Sequence, residues 1–363
     1  QRLNQFLAEL GLREFIEPVS DLGCYGWVPT SGPHRPLPSA TAQDIEDCVD
    51  LNGMPPRLVD LAALNATLPK RFTRLDRPYC VGNRFPYGQD AVVPLYVASQ
   101  KQQQQTGSNH LLESIHFQFG PYTLYFLAMG IVKADGERFV VARVPGTHVI
   151  LVTRLKWYSA NYSSFGPQFE RFLCGQPRYP PFDLSQAPHL QILKVNNYRI
   201  LVSGSVDAVD ADQNLVEIKF GLPNHRALRT IFQMISSCSL YMCRANVRFQ
   251  RKKKVRPLPP PILLSFKWES LAEYATEILQ GQQQVTNGGE QLFAELGKCI
   301  SQRVHWLENE CNVNLKHGDV MELVFEKSEL QTKAKMKLVP CHAVSIDEIF
   351  PNERVVKELL FSK

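Results

Sequence analysis

The stretch ILVSGSVDAVDADQNLVEIKFG, residues 200 to 221, sets two β-branched runs on either side of the polar turn DADQN. Such runs about a short polar turn predict a hairpin over 200–207 and 214–220. Pairing them antiparallel about position 212 sets residue 207 opposite 217 and residue 205 opposite 219. Side chains two apart on a strand share a face, so Asp207, Glu217 and Lys219 are expected to converge, joined there by Ser205. Two opposed carboxylates repel unless a cation lies between them. Hard divalent cations take such oxygen ligands, and a nearby lysine can orient a water or a phosphate. The bland alternative is a surface hairpin, because Glu-x-Lys is common on exposed strands and a slip of one residue undoes the convergence.

The chain around this stretch has 363 residues, room for one large domain or two small ones. A hydrophobic fraction of 44% supplies a substantial core, and a net charge of +5 is too mild to mark a nucleic-acid binder by itself. The nine cysteines are odd in number and form no CxxC pair, which points to free thiols in a reducing compartment. No apolar run reaches the roughly 18 residues of a membrane span, and QRLNQFLAEL at the start lacks a signal-peptide core. The expectation is a soluble intracellular protein.

Leu3, Phe6, Leu7, Leu10 and Leu12 follow helical spacing and predict a short amphipathic helix. Residues 17 to 56 are rich in Pro and Gly and read as irregular chain lying across a core, while QKQQQQTGSN (100 to 109) reads as a loop. A β-rich block follows in HFQFGPYTLYFLAMGIV, ERFVVARV and THVILVTRL. FGPQFERFLCG reads as a helix ended by Gly175, and HRALRTIFQMISSCSLYMCRA as a buried helix carrying Cys238 and Cys243 as core thiols. ILLSFKWES, helices near 269–281 and 290–311, and VMELVFE complete the chain. The expected fold is α+β: mixed, largely antiparallel twisted sheets flanked by helices. Residues 1–60 form an irregular N-terminal wrap with a short helix, and 61–363 a single domain.

Three further features carry chemistry or its appearance. RFQRKKKVR gathers Arg248, Arg251, Lys252, Lys253, Lys254 and Arg256, a run suited to RNA contact or nuclear import, against the alternative of a solvated loop. Phe249, Phe266 and Trp268 lie close by and could stack on bases, although such aromatics are more often core. Cys299, His305, Cys311 and His317 recur every six residues, a step that wanders around a helix rather than gathering zinc ligands. SGSVD lacks the second glycine of a nucleophile elbow, and the chain has no Gly-rich phosphate loop.

FGPQFERFLCG, ILVSGSVDAVD and LVEIKFG resemble three consecutive motifs of the decapping exonuclease (DXO) family of RNA five-prime-end hydrolases, within the broad restriction-endonuclease-like class. The resemblance covers most of the chain from about residue 110 and implies a DXO-like domain. It makes Glu170 the helix acid, Asp207 the strand acid, and Glu217 with Lys219 the final pair, so that Glu170, Asp207 and Glu217 are the implied metal ligands. The departures are as telling. Ser205 stands where the family has a metal-binding Glu. The phosphate-gripping arginine expected near FQFGPYTLYF is missing, with Gly120 and Pro121 in its place. The Thr-Pro-Tyr-Glu element is absent from LAMGIVKADGE, and VILVTRL has Val152 or Thr153 where an acid is expected. The family's helix glutamine falls at Met234, with Gln233 one residue off.

A two-metal mechanism needs enough anionic oxygens to hold two cations. The reading is therefore a catalytically inactive relative with a degenerate site of Glu170, Ser205, Asp207, Glu217 and Lys219. It requires no cofactor, and any residual Mg²⁺ or Mn²⁺ would sit in a weakened site. A degenerate member of that family with a glutamine tract further resembles a nuclear germline protein, and that likeness implies binding to RNA five-prime ends, Rhino and Deadlock as partners, and protection of heterochromatic piRNA-source transcripts from termination, splicing and decay. One rival is an active Mg²⁺- or Mn²⁺-dependent five-prime-end pyrophosphohydrolase or exonuclease, with Glu170, Asp207 and Glu217 as ligands and Lys219 orienting the nucleophile. The other is a pure protein scaffold.

Overall fold

Strands buried on both faces read as near-continuous apolar runs, and the computed structural model shows why YRILVSGSV is such a run. Ile200 and Val202 point into one buried cluster and Leu201 into another, on opposite faces of the same sheet. The structure describes residues 2–28, 39–72, 91–107, 110–130, 138–155, 165–176, 187–221, 227–248, 261–283, 289–326 and 335–361.

The chain opens with α1 (Arg2–Glu9), β1 (Glu17–Cys24), β2 (Gly26–Trp27), α2 (Ala42–Glu46), β3 (Val49–Asp50), α3 (Leu61–Asn65) and β4 (Lys70–Arg71). Its middle holds α4 (Val93–Thr106), α5 (Leu111–Ser114), β5 (Phe117–Phe119), α6 (Thr123–Met129), β6 (Arg138–Arg143), β7 (Ile150–Leu155) and α7 (Gly166–Leu173). Then come β8 (Ala187–Val195), β9 (Tyr198–Val206), β10 (Ala208–Val209), β11 (Leu215–Lys219), α8 (Ala227–Ser237), β12 (Tyr241–Arg248) and β13 (Ile262–Ser270). The last part is α9 (Leu271–Gln283), α10 (Gly289–Asn314), β14 (Val320–Phe325), β15 (Met336–Pro340), α11 (Ile346–Ile349) and α12 (Glu353–Phe361).

Eight strands form the large sheet in the order β1-β8-β9-β5-β7-β6-β14-β15. β5 runs parallel to both β9 and β7, and the other neighbours are antiparallel. Helices α1, α6, α8, α9 and α10 contribute to the cluster on one face; α2, α4 and α12 contribute to the cluster on the other. A second sheet, β10-β11-β12-β13-β4, packs Val216, Ile218 and Cys243 against Phe169 and Leu173 of α7. The class is the expected one: α+β, with mixed, largely antiparallel sheets flanked by helices.

The hairpin has the predicted register, with Ala208 opposite Val216 and Val209 opposite Leu215. It does not extend to Ser205. At Asp207 the chain leaves the large sheet for the small one, so Ser205 pairs with Pro188 of β8 and not with Lys219. Four other expectations are corrected. The segment 17–56 is not wholly irregular, since Glu17–Cys24 forms an edge strand of the large sheet, with shifts in its register. The glutamine run lies in α4, which continues to Thr106 and is capped by Gly107 at φ 69°; glutamine is a good helix former, and the apolar VPLYVAS before it nucleates the helix. HFQFGPYTLYFLAMGIV divides into β5 and the helix α6 at Gly120-Pro121. The expected helix near 226–243 ends at Ser237, because Cys238 turns left-handed at φ 55° and the chain resumes as β12, placing Cys243 on a strand. Cys243 is nonetheless buried, and every cysteine among the described residues is a free thiol. No helix among the described residues is long and apolar enough to cross a membrane.

Candidate functional site

The sheet positions the site. Phe119 of β5 lies level with Val202 of β9 and Val152 of β7, so the carboxyl ends of three parallel strands open together. Ligands bind at such ends in open sheets. Beyond them stand Tyr122, which follows β5, Arg154 near the end of β7, and Asp207, which follows β9. Helix α8 closes one side. It approaches β9 so nearly that a Cβ on Gly204 would meet Ser237 N at 2.5 Å and Ser236 O at 2.6 Å. Only glycine fits that contact.

Glu217 is fully buried and Asp207 is 2% exposed. Val216 and Ile218 face α7, which turns Glu217 to the opposite face of β11, toward α8. There its Oε1 accepts hydrogen bonds from Gln233 Nε2 at 2.7 Å and from the Lys219 ammonium. Lys219 Nζ also lies 3.4 Å from Gln233 Oε1. Asp207 Oδ2 accepts the Ile218 N–H at 2.8 Å. Burial, and then the neighbouring Asp207 carboxylate, push Glu217 well above the usual carboxylate range despite Lys219. Burial works against the Lys219 charge, but Glu217 and Asp207 outweigh it and hold the ammonium above its ordinary value.

Glu170 Oε1 stands 4.0 Å from the place of a Cβ on Gly166, one turn back along α7. Cys174 lies within the fields of both Asp207 and Glu170; burial, with these carboxylates, pushes its thiol up to about 12. The oxygens of Glu170, Asp207 and Glu217 do not gather within reach of one ion; among the described residues the only such group is Asp21, His189 and Cys238. The residues present therefore do not fit a pair of divalent cations. Ser205 offers no charge, Glu217 is held by an ammonium and an amide, and the oxygens of the three acids lie too far apart to share one ion.

The structure adds cations that sequence reasoning missed. The Arg154 and Arg229 guanidinium groups lie 4.4 and 4.3 Å from the centroid of the Tyr122 ring, and the field of Tyr122 reaches Lys219. Nothing local in sequence marks this convergence, since the three residues come from β7, α8 and the link after β5. Gly120 is packed closed: a Cβ there would collide with the Thr153 hydroxyl. Of the two candidate glutamine positions, Gln233 reaches the site, while Met234 is buried in the apolar cluster. Of the basic run, Arg248 is an exposed residue at the end of β12, and Arg251, Lys252, Lys253, Lys254 and Arg256 lie outside the described residues, as does Phe249. Phe266 is partly buried, and Trp268, 38% exposed, stacks on Tyr241 at 5.6 Å. In the six-residue series, Cys299 and Cys311 are buried whereas His305 is exposed and bonded to Tyr198, so these positions do not gather.

By sequence, no family model matches the chain, and no curated protein does. By structure, the architecture is the fold of the decapping exonuclease (DXO) family. The chain is similar to the crystal structure of Schizosaccharomyces pombe Rai1, with TM-score 0.57 and 9% identity over 89% of this chain and 94% of that one. Scheffersomyces stipitis Rai1, solved with (3'-NADP)⁺ and calcium ion, matches with TM-score 0.56 and 9% identity over 95% and 96% of the two chains. Candida albicans Rai1, solved with pU5 and Mn²⁺, matches with TM-score 0.54 and 12% identity over 95% and 92%.

Proposed function

We propose that this chain binds the phosphate-bearing five-prime end of RNA without hydrolysing it. The observation that carries the reading is the exchange of charge at the site. Glu217 is held by Lys219 and Gln233, while Lys219, Arg154 and Arg229 bring three cations to the strand ends beside the aromatic ring of Tyr122. Guanidinium groups bind phosphate oxygens through charge-assisted hydrogen bonds, and the Tyr122 ring holds the two of them together. The same fold holds pU5 in Candida albicans Rai1. Hydrolysis would need the carboxylate that Ser205 replaces, together with a Glu217 released from its ammonium.

The finer reading is nuclear action at germline piRNA-source loci. It rests on a resemblance to the fly protein Cutoff, supported by Ser205 in place of an acid and by the glutamine run of α4. Rhino and Deadlock would then be protein partners, and the Arg248–Arg256 run an import signal or a second RNA contact. The domain division proposed with it sets residues 1–60 against a single domain at 61–363. Filter binding tests the site directly. RNA with a five-prime monophosphate is expected to be retained about tenfold better than five-prime-hydroxyl RNA, with the preference lost in Arg154→Gln/Arg229→Gln. Equal retention of both ends would remove the five-prime end from the account.

A further inference from the structure

A second cluster of chemically capable side chains lies away from the strand-end site, where the outer edge of the large sheet meets the end of α8. Asp21 lies on β1, His189 on β8, and Cys238 just past the last residue of α8. A ligand atom from each lies within 4.8 Å of the other two. Tetrahedral zinc, with bonds of about 2.0–2.3 Å, sets its ligand atoms roughly 3.5 Å apart, so small side-chain rotations bring the three onto one ion.

His189 is the buried member of the set. The residue is only 1% exposed, and Nε2 lies 2.8 Å from Asp21 Oδ1. Nε2 is therefore the nitrogen that can share an ion with that carboxylate, the ion replacing the hydrogen bond between them.

We propose that Asp21, His189 and Cys238 bind one divalent cation of the zinc class, with the fourth position open to solvent beside the exposed Asp21. A thiolate, an imidazole and a carboxylate together suit a borderline-soft ion and not the hard Mg²⁺. Lys101 is the opposing charge. It donates to the Cys24 carbonyl oxygen at 2.6 Å and not to a ligand oxygen; Asp21 Oδ1 accepts the Gly23 N–H at 2.8 Å, which leaves Oδ2 as the oxygen for the ion. The Cys238 thiol loses its proton to solvent as the metal–sulfur bond forms. The bound ion ties β1 and β8 to the end of α8, the helix that carries Arg229 and Gln233 into the strand-end site.

The test titrates Co²⁺ into the full chain, purified under reducing conditions and stripped by chelator. One equivalent is expected to produce a thiolate-to-cobalt charge-transfer band that Zn²⁺ bleaches. Cys238→Ser should abolish the band while keeping the metal-free melting temperature. Asp21→Asn, at an exposed position, should weaken cobalt binding by about tenfold or more. Asp207→Asn/Glu217→Gln should leave the band unchanged, which separates this site from the strand-end one. Absence of the band in the unaltered chain, or its persistence in Cys238→Ser, would overturn the proposal, as would unchanged affinity in Asp21→Asn.

Discussion

Glu217 and Asp207 lie side by side in a buried space with one lysine, and this makes Glu217 the residue whose protonation the fold controls. Its ordinary value near 4.5 is raised to about 8, so between those values the folded chain holds a proton that the unfolded chain has released. The stabilising effect of that proton is complete below about pH 4.5 and is lost as pH rises toward 8. Glu217→Gln keeps the group neutral at every pH. Thermal melts should therefore show the variant gaining on the unaltered chain from pH 5 to pH 8, by on the order of 1–3 kcal/mol. A difference that stays constant with pH would show that Glu217 is ionised throughout. This coupling was half legible. Spacing alone brought Asp207, Glu217 and Lys219 together, but not the amide of Gln233 that shares Glu217 with the lysine.

Helix α8 is the element on which the site depends, because it carries Arg229 and Gln233 inward and rests on β9 at Gly204. A methyl at that position meets backbone atoms, which cannot swing aside as a side chain would. Gly204→Ala is expected to destabilise the chain by about 1–3 kcal/mol, read as a lower denaturation midpoint with an unchanged slope. An unaltered midpoint would mean that α8 does not bear on the strand. The element scale also shows where sequence reading stops. Periodicity cannot separate a buried helix from a buried strand in an apolar run, so α8 and β12 merged into one expected helix. The positive φ of Cys238 divides them, and no residue preference announces it. The hairpin register could be read because two short runs and a turn are local. The departure of the chain from one sheet to the other at Asp207 could not, since it depends on β8 claiming Ser205 from a distance.

At the scale of the whole molecule, a net charge of +5 on 363 residues gives little general attraction for RNA. Affinity then has to come from local clusters, and Arg154, Lys219 and Arg229 form one at the open ends of the parallel strands. Binding through phosphate contacts weakens with salt in proportion to the charges engaged. Removing two of them in Arg154→Gln/Arg229→Gln should reduce the slope of log affinity against log salt by about 1.4 for single-stranded RNA. A slope unaffected by the pair would move the RNA contact elsewhere on the chain, with the Arg248–Arg256 run the next place to test.

The most direct test of the account incubates the purified chain with Mn²⁺ and RNAs bearing five-prime triphosphate, monophosphate or unmethylated cap, following cleavage and retention in the same samples. RNA is expected to be retained intact, both by the unaltered chain and by Asp207→Ala/Glu217→Ala. Cleavage by the unaltered chain that this double variant abolishes would contradict it, and would make Ser205 a tolerated change in a working hydrolase.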